Sequence, residues 1–187
     1  MTRFRRRAFM LLAAVALIPL ASCSDTPEEA PAPEAASTSL ADAVKSAPGM
    51  ATAAAALEST GLDAVFDGPG SYTILVPDDD AFGALGEDRR MLDDPAQRAA
   101  VAAIIRDHIV PGFLLPDDIA EALGDGRGGA VEMTTMADHT LTFTKSGDDI
   151  LVTSEDGANA RLAGEALVAN NGVAIPVDGL LKARLPR

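Results

Sequence analysis

The spacing of apolar residues changes near residue 130, and this change limits the fold more than any other feature of the chain. Before it, apolar residues recur every three or four positions, as on one face of a helix, and Val101, Ile104 and Ile105 are the clearest case. After it, Leu141 and Phe143 alternate with threonines, as in a strand with one buried face. Helices followed by closely spaced strands predict an α+β domain with an antiparallel meander.

Turn and cap residues set the expected boundaries. Asp94 and Pro95 are suited to the N-cap and first residue of the longest helix, which would carry Ile109 on the same face as Val101. Gly61 is placed to end another helix in a left-handed conformation. The predicted helices are 40–47, 49–60, 63–66, 94–108 and 116–123, with a short one beginning near residue 81. The predicted strands are 71–76, 131–136, 140–144, 150–153, 160–163, 166–169 and 173–177.

Residues 1–22 have the pattern of an export signal. Four arginines precede an uncharged apolar run at 8–21, which is too short to span a bilayer core of about 30 Å as a helix. The run ends in Leu20-Ala21-Ser22-Cys23, which resembles the bacterial lipoprotein box. That resemblance implies a lipid on Cys23 and, from Ser24, a place at the outer membrane, facing the periplasm or the exterior. The alternative is an ordinary secretory signal with a chance cysteine at its end.

The segment after Cys23 differs from the rest of the chain in composition. Residues 24–39 are rich in Pro, Ala, Ser and Glu and have no apolar face, so a disordered spacer is expected before a single domain at 40–187. Cys23 is the only cysteine, which excludes a disulfide within the chain. Removal of the four leader arginines would change the formal net charge from −13 to −17. A balance this acidic argues against nucleic acid as a partner and leaves the lipid as the expected membrane contact.

Three stretches of the chain, in order and spacing, resemble the fasciclin (FAS1) family. They are 72–82, 107–112 and 171–181. The family-motif residues in them are Pro77, Asp78, Phe82, His108, Pro111, Gly112, Asn171, Gly172 and Asp178. The resemblance implies a wedge-shaped β-sandwich flanked by N-terminal helices, with these residues in structural roles. It also implies a non-enzymatic function in adhesion or extracellular binding.

The chain departs from the family pattern at two positions. Many members have a tyrosine before the histidine, in a motif tied to integrin binding in animal proteins, and Asp107 stands there instead. The closing strand commonly has a histidine where this chain has Ile175, followed by Pro176, which must lie at an edge or bulge. An apolar groove at Leu75 and Ile175 would favour a carrier of a small apolar ligand such as a carotenoid.

Several polar clusters have a structural interpretation beside a chemical one. Asp78-Asp79-Asp80 is interpreted as a cap and first-turn acids, not as a cation site, because the spaced pattern of a calcium loop is missing. His108 is expected to be structural, and His139 lies at a predicted strand start. Two histidines and no spare cysteine predict neither a zinc site nor another metal or cofactor. The glycine-rich run 124–129 lacks the Lys-Ser/Thr of a phosphate loop and is interpreted as a flexible loop.

The chain carries no G-x-S-x-G or comparable nucleophile motif, so no enzyme is predicted. The sequence therefore predicts an exported, membrane-anchored fasciclin-like module for cell or surface adhesion, with a protein or cell-surface partner. The alternative is the carrier of a small apolar ligand.

The lipid on Cys23 can be tested directly. Because Cys23 lies outside every predicted core element, Cys23→Ala should release the protein from the membrane fraction and leave the domain folded. Fractionation of cells followed by thermal denaturation of the released protein measures both properties. Membrane association of the variant that persists through a high-salt wash would contradict the prediction.

Overall fold

The structure, a computed structural model, describes residues 37–124 and 129–185. The predicted leader, Cys23, the spacer up to residue 36, and residues 125–128 of the glycine-rich run lie outside these ranges. Within them, no helix is both long and apolar enough to cross a membrane. The fold is α+β, as the change of apolar spacing predicted.

Six α-helices occupy the described residues, and most of them lie in the first two thirds of the chain. They are α1 (Leu40–Ser46), α2 (Ala51–Thr60), α3 (Asp63–Phe66), α4 (Asp79–Gly83), α5 (Arg98–Asp107) and α6 (Pro116–Leu123). Two 3₁₀ segments, Gly86–Asp93 and Pro95–Gln97, connect α4 to α5. The predicted stop at Gly61 is confirmed, because this residue has a φ of +74° and its N–H bonds to the end of α2.

Eight strands form two four-stranded sheets. In chain order they are β1 (Tyr72–Pro77), β2 (Ile109–Pro111), β3 (Ala130–Thr134), β4 (Thr140–Ser146), β5 (Asp149–Ser154), β6 (Asn159–Arg161), β7 (Leu167–Ala169) and β8 (Gly172–Val177). Sheet A has the order β2-β1-β8-β7, and sheet B has the order β3-β4-β5-β6.

Sheet A has helices α1 to α4 on one face and sheet B, with α6, on the other. On one face of β1, Ile74 and Val76 join a core with residues of α1 to α4, including Phe66. On the other face, Leu75 joins a second core with Phe143 and Val152 of sheet B. Because side chains alternate along a strand, a strand buried on both faces reads as the continuous apolar run seen in β1.

The predicted meander holds for sheet B but not for the end of the chain. Strands β3 to β6 pair antiparallel with their neighbours in sequence. Strand β8 instead pairs in parallel with β1, from Tyr72 opposite Gly172 to Pro77 opposite Val177. Parallel pairing requires a long crossover, and here about half of the chain lies between the two strands.

The helix predicted at 94–108 is shorter than expected. Residues Pro95–Gln97 form a 3₁₀ turn, and α5 ends at Asp107. Ile109, predicted on the helix, is fully buried but belongs to β2 and pairs with Ile74. The following proline and Gly112, which has a φ of +114°, direct the chain away from the helical path.

Pro176 stands in an interior strand, yet its position is compatible with proline. Asn171 and Val177 accept hydrogen bonds from the N–H groups of Tyr72 and Asp78, so odd-numbered residues of β8 bond to β1. The nitrogen of Pro176 therefore faces the β7 side, where strand pairing ends at Ala174. Pro176 therefore lies beyond the part of β8 that pairs with β7, because β7 stops before it reaches the proline.

The pairs Asp156-Gly157 and Asn171-Gly172 are both typical of tight turns with positive φ, and this prediction is wrong for Gly172. Gly157 does adopt a φ of +88°, but the φ of Gly172 is not positive. Glycine is needed at 172 for another reason. A Cβ atom there would lie 2.2 Å from the carbonyl oxygen of Tyr72 and 2.8 Å from Cδ2 of Leu40. The first residue of β8 must therefore lack a side chain so that β1 and α1 can approach it.

A pair of glycine variants tests this close approach. Gly172→Ala should lower the free energy of unfolding by about 1–3 kcal/mol or more, because the new methyl group meets backbone atoms that cannot move away. Gly83→Ala is the matched control, since a Cβ there has no neighbour within 4 Å, and it should be neutral or slightly stabilising. Urea denaturation of both proteins measures the difference. Equal stability of Gly172→Ala and the wild type would contradict the close approach.

Candidate functional site

The three family-like stretches, far apart in sequence, lie side by side in space. They contain β1, β2 and β8, which are adjacent in sheet A. Pro77 is the buried last residue of β1, and Phe82 is buried on α4. Pro111 is at the exposed end of β2, and the carbonyl of Gly112 accepts a hydrogen bond from Oγ1 of Thr73 at 2.9 Å.

His108 joins α5 to the segment after β8. It is the C-cap of α5, and its Nδ1 lies 2.8 Å from the carbonyl oxygen of Ile104. The N–H of Leu181 donates to its Nε2 at 3.0 Å. Because that N–H requires an acceptor, Nδ1 carries the proton and the ring is neutral. Both nitrogens are occupied in a buried position, so the geometry gives His108 a structural role and leaves no free nitrogen for a general base.

Hydrogen bonding also explains the last family-motif residues. The side-chain oxygen of Asn171 accepts from the N–H of Leu40 at 2.8 Å, and its amide nitrogen donates to the carbonyls of Phe66 and Gly68. Asn171 thus holds the starts of α1 and β8 and the end of α3 together. The carboxylate of Asp178 accepts from the N–H of Arg161 at 2.6 Å.

Asp78 caps α4 and Asp79 and Asp80 lie in its first turn, as the structural interpretation predicted, whereas a second role of Asp79 at α2 was not predicted. Asp78 accepts from the N–H of Ala81 at 2.7 Å and caps α4. Asp79 accepts from the N–H groups of Thr52 at 2.8 Å and Ala51 at 3.3 Å, and so caps α2 from outside. The hydrogen bonds from Thr52 lower the pKa of Asp79. Within residues 37–124 and 129–185, no group of three His, Cys, Asp or Glu side chains could hold a metal ion.

The two residues expected to line an apolar groove lie in the core. Leu75 and Ile175 face each other across β1 and β8, and each is 1% exposed. An apolar cavity of about 30 Å³ lies beside Leu75, between α2, α5 and the segment that contains Leu180, and it has room for about one water molecule. A carotenoid could enter this region only after the core had opened.

A second polar site was not predicted from the sequence. Asp107 is buried, with 7% of its side chain exposed, and its two carboxylate oxygens have different partners. Nδ1 of His139 lies 2.5 Å from Oδ1, and Nζ of Lys182 lies 3.0 Å from Oδ2. Nζ of Lys182 is also 3.5 Å from Asp156. These four residues, together with Glu155 and others, line a cleft of about 300 Å³, which we call the acidic cleft.

The electrostatics of the acidic cleft favour ionised groups. Burial lowers the pKa of Lys182, but its ion pair with Asp107 outweighs this effect and the pKa is raised. Burial likewise opposes ionisation of Asp156, yet hydrogen bonds from Ser154 and from the N–H of Ala183 keep its pKa below the usual value. The cleft therefore favours the charged forms of Asp156 and Lys182, and Asp107 and Glu155 contribute two further carboxyl groups. This arrangement can bind cationic groups.

Sequence patterns contained part of the signal for this site. Asp107 was noticed as a departure from the family pattern, and His139 as one of only two histidines. Nothing in the spacing related either residue to Lys182, which lies more than forty positions beyond His139 and follows the last predicted strand.

Comparison with known proteins agrees with the family-like motifs found in and beside β1, β2 and β8. The model of the fasciclin domain family matches residues 48–183. The chain belongs to the fasciclin family. A solved structure of a FAS1 domain pair from the insect cell adhesion molecule fasciclin I is similar, with a TM-score of 0.68 at 14% identity. The match covers 79% of this chain and 51% of that chain, so this chain spans about half the length of the insect structure.

Membership of the fasciclin family places this chain among binding or adhesion-type modules. The structural match extends the comparison to the fold. Within this fasciclin domain, Asp107 lies directly before the buried His108 and at the inner wall of the acidic cleft.

The buried His108 predicts that acid destabilises the fasciclin domain. Burial lowers the pKa of His108 below its usual value of 6.5, so the unfolded chain takes up a proton that the folded chain refuses. This contribution to stability is complete above about pH 6.5. It is lost as the pH falls below that value, with a slope of up to about 1.4 kcal/mol per pH unit, until the folded histidine is protonated too.

Urea denaturation at several values between about pH 5 and pH 7.5 measures this slope. His108→Gln should be less stable than the wild type at neutral pH, yet its stability should change less between pH 6.5 and pH 5, because an amide does not titrate there. His139→Gln is the control, since it removes the other histidine and leaves His108 in place. Identical slopes for the wild type and His108→Gln would show that His108 is not the titrating group.

Proposed function

We propose that this fasciclin protein is exported, lipid-anchored at Cys23, and attaches cells to a protein or cell-surface partner through the acidic cleft. The observation that carries the proposal is the composition of that cleft. The carboxylates of Asp107, Glu155 and Asp156 line it with Lys182 and His139. A basic side chain of a partner would add the positive charge that the cleft lacks.

The charge of the whole protein supports a basic partner. With 15 Lys/Arg against 28 Asp/Glu, its long-range field attracts cations and repels anionic surfaces. Divalent cations could also bridge the protein to another acidic surface. In both cases attachment should weaken as salt screens the charges.

The proposed anchor and the similar insect protein support a role at the cell surface. The lipoprotein-like box before Cys23 and a polar spacer would hold the domain at the outer membrane, on its periplasmic or outer side. The FAS1 domain pair that resembles this fold comes from a cell adhesion molecule. The carrier of a small apolar ligand remains the alternative prediction, but the burial of Leu75 and Ile175 does not favour it.

An ionic-strength series with one matched pair of variants tests the adhesion proposal. Attachment of cells to a surface of basic protein should fall steadily between about 10 mM and 150 mM salt, over which the Debye length shortens from about 30 Å to 8 Å. Glu155→Gln should weaken attachment by about twofold to fivefold at low salt. The isosteric amide keeps an oxygen for the N–H of Thr140, which donates to Glu155.

Glu165→Gln is the control, because it removes the same charge at an exposed site that does not line the acidic cleft. An equal loss in both variants would assign adhesion to overall charge and not to the cleft. The proposal would be overturned if attachment changed neither with salt concentration nor in the Glu155→Gln variant. A coloured apolar ligand in protein purified from its own host would then support the carrier instead.

A further inference from the structure

A second cleft lies between α2, the 3₁₀ segments and the first turn of α5, and two arginines and two aspartates line it. It encloses about 470 Å³, which is within the usual range for small-molecule sites. Arg89 and Arg98 both line it, together with Thr52 and Ser59 of α2. We call it the arginine cleft.

The arginines of this cleft differ from several other cations of the domain. Lys45, Arg90 and Lys182 each form an ion pair with a carboxylate. Among the residues that the structure describes, no carboxylate lies within 4.0 Å of the charged nitrogens of Arg89 or Arg98. Nη2 of Arg89 donates to Oγ1 of Thr52 at 3.0 Å, which holds the guanidinium against α2.

Two carboxylates near the cleft accept hydrogen bonds from other groups, and Asp93, which also lines the cleft, forms no ion pair with either arginine. Asp79 feels the charge of Arg89, but its oxygens accept from the N–H groups that begin α2. Asp94 also lines the cleft, and its carboxylate accepts from the N–H of Ala96 at 2.9 Å. The two guanidinium groups thus keep donors for an anion from solution, which the planar fork of arginine binds in a bidentate manner.

The floor of the arginine cleft is apolar because α2 presents alanines there. Ala51, Ala55 and Ala56 line it from the helix, and Leu92 and Pro95 line it from the opposite side. Since alanine side chains are short, the space between α2 and the 3₁₀ segments stays open. Hydroxyl groups of Thr52 and Ser59 lie on the same face of α2, three or four positions from the alanines.

We propose that the arginine cleft binds a small organic anion. Its carboxylate or phosphate group would lie between Arg89 and Arg98, and its apolar body would pack on the alanine floor. The acidic surface of the whole protein opposes the approach of anions from a distance, so recognition depends on the short-range fork contacts and on the apolar floor. Large polyanions have no apolar body to pack on the floor, and the overall charge of the protein repels them most strongly.

Three small probes of similar shape test the proposal with the full-length protein. Phenyl phosphate and benzoate carry the two anionic groups, and benzyl alcohol is the neutral analogue. NMR titration of the ¹⁵N-labelled protein should show saturable shifts at Thr52, Ser59 and Arg98 for at least one anion, and benzyl alcohol should bind about tenfold more weakly or worse. The stronger of the two anions identifies the preferred head group.

Arginine variants show whether the named residues hold the anion. Arg89→Gln and Arg98→Gln should each weaken anion binding about fivefold to tenfold, in line with charged hydrogen bonds at a partly exposed site. Arg161→Gln, an exposed arginine on β6, is the matched control and should leave affinity unchanged. Unchanged melting temperatures exclude loss of fold as the cause.

Any of three results would overturn the proposal. It is wrong if neither anion saturates up to about 10 mM. It is also wrong if benzyl alcohol binds as tightly as the anions, or if both glutamine variants bind like the wild type.

Discussion

The packing of the domain depends on the neutral, buried ring of His108, which connects three of its elements. Its Nδ1 holds the last turn of α5 through Ile104, and its Nε2 holds the segment after β8 through Leu181. Its own carbonyl accepts from the N–H of Leu75 in β1 at 2.8 Å. One residue therefore links a helix, the centre of sheet A and the end of the chain. A buried ring with two satisfied nitrogens is stable only in one tautomer, which fixes the relative positions of all three elements.

Asn171 performs the corresponding task at the other end of sheet A. Its amide bonds to the first N–H of α1 and to the carbonyls of Phe66, at the end of α3, and Gly68, while its backbone carbonyl accepts from the N–H of Tyr72. The next residue, Gly172, has no side chain, so β8 can pack closely against β1 and α1. The parallel pair of β1 and β8 is thus closed by His108 at one end and by Asn171 at the other.

The sequence was informative wherever structure depends on nearby residues. Helices α1, α3 and α6 and the strands of sheet B were predicted to within a few residues, because caps, prolines and alternating threonines act locally. The prediction failed where distant segments decide the outcome. Strand β2 exists because Ile109 pairs with Ile74, and β8 leaves the meander because β1 offers an interior position. Gly172 was singled out correctly but for the wrong reason, since its neighbour Tyr72 is distant in sequence.

The candidate sites were harder to predict from the sequence than the fold, because their residues come from distant segments. Asp107 was noticed because it departs from the family pattern, but a buried carboxylate is tolerated only with charged or hydrogen-bonding partners nearby. Those partners, His139 and Lys182, come from two other parts of the chain. The arginine cleft could not be predicted from the sequence either, because Thr52 of α2 and Arg89 come together only when the 3₁₀ segment packs against α2.

The acidic cleft and the core are coupled through adjacent residues. Asp107 precedes His108, and Lys182 follows Leu181, so the hydrogen bond from Leu181 to His108 places the lysine beside the aspartate. The hydrogen bond between Leu181 and His108 in the core and the ion pair between Lys182 and Asp107 therefore depend on the same packing of the segment after β8 against the end of α5. A change that loosens His108 must also displace Lys182, and the carboxylates around it would then lose their only paired lysine among the described residues. The charge of the cleft, and with it the proposed preference for basic partners, is set by packing in the core.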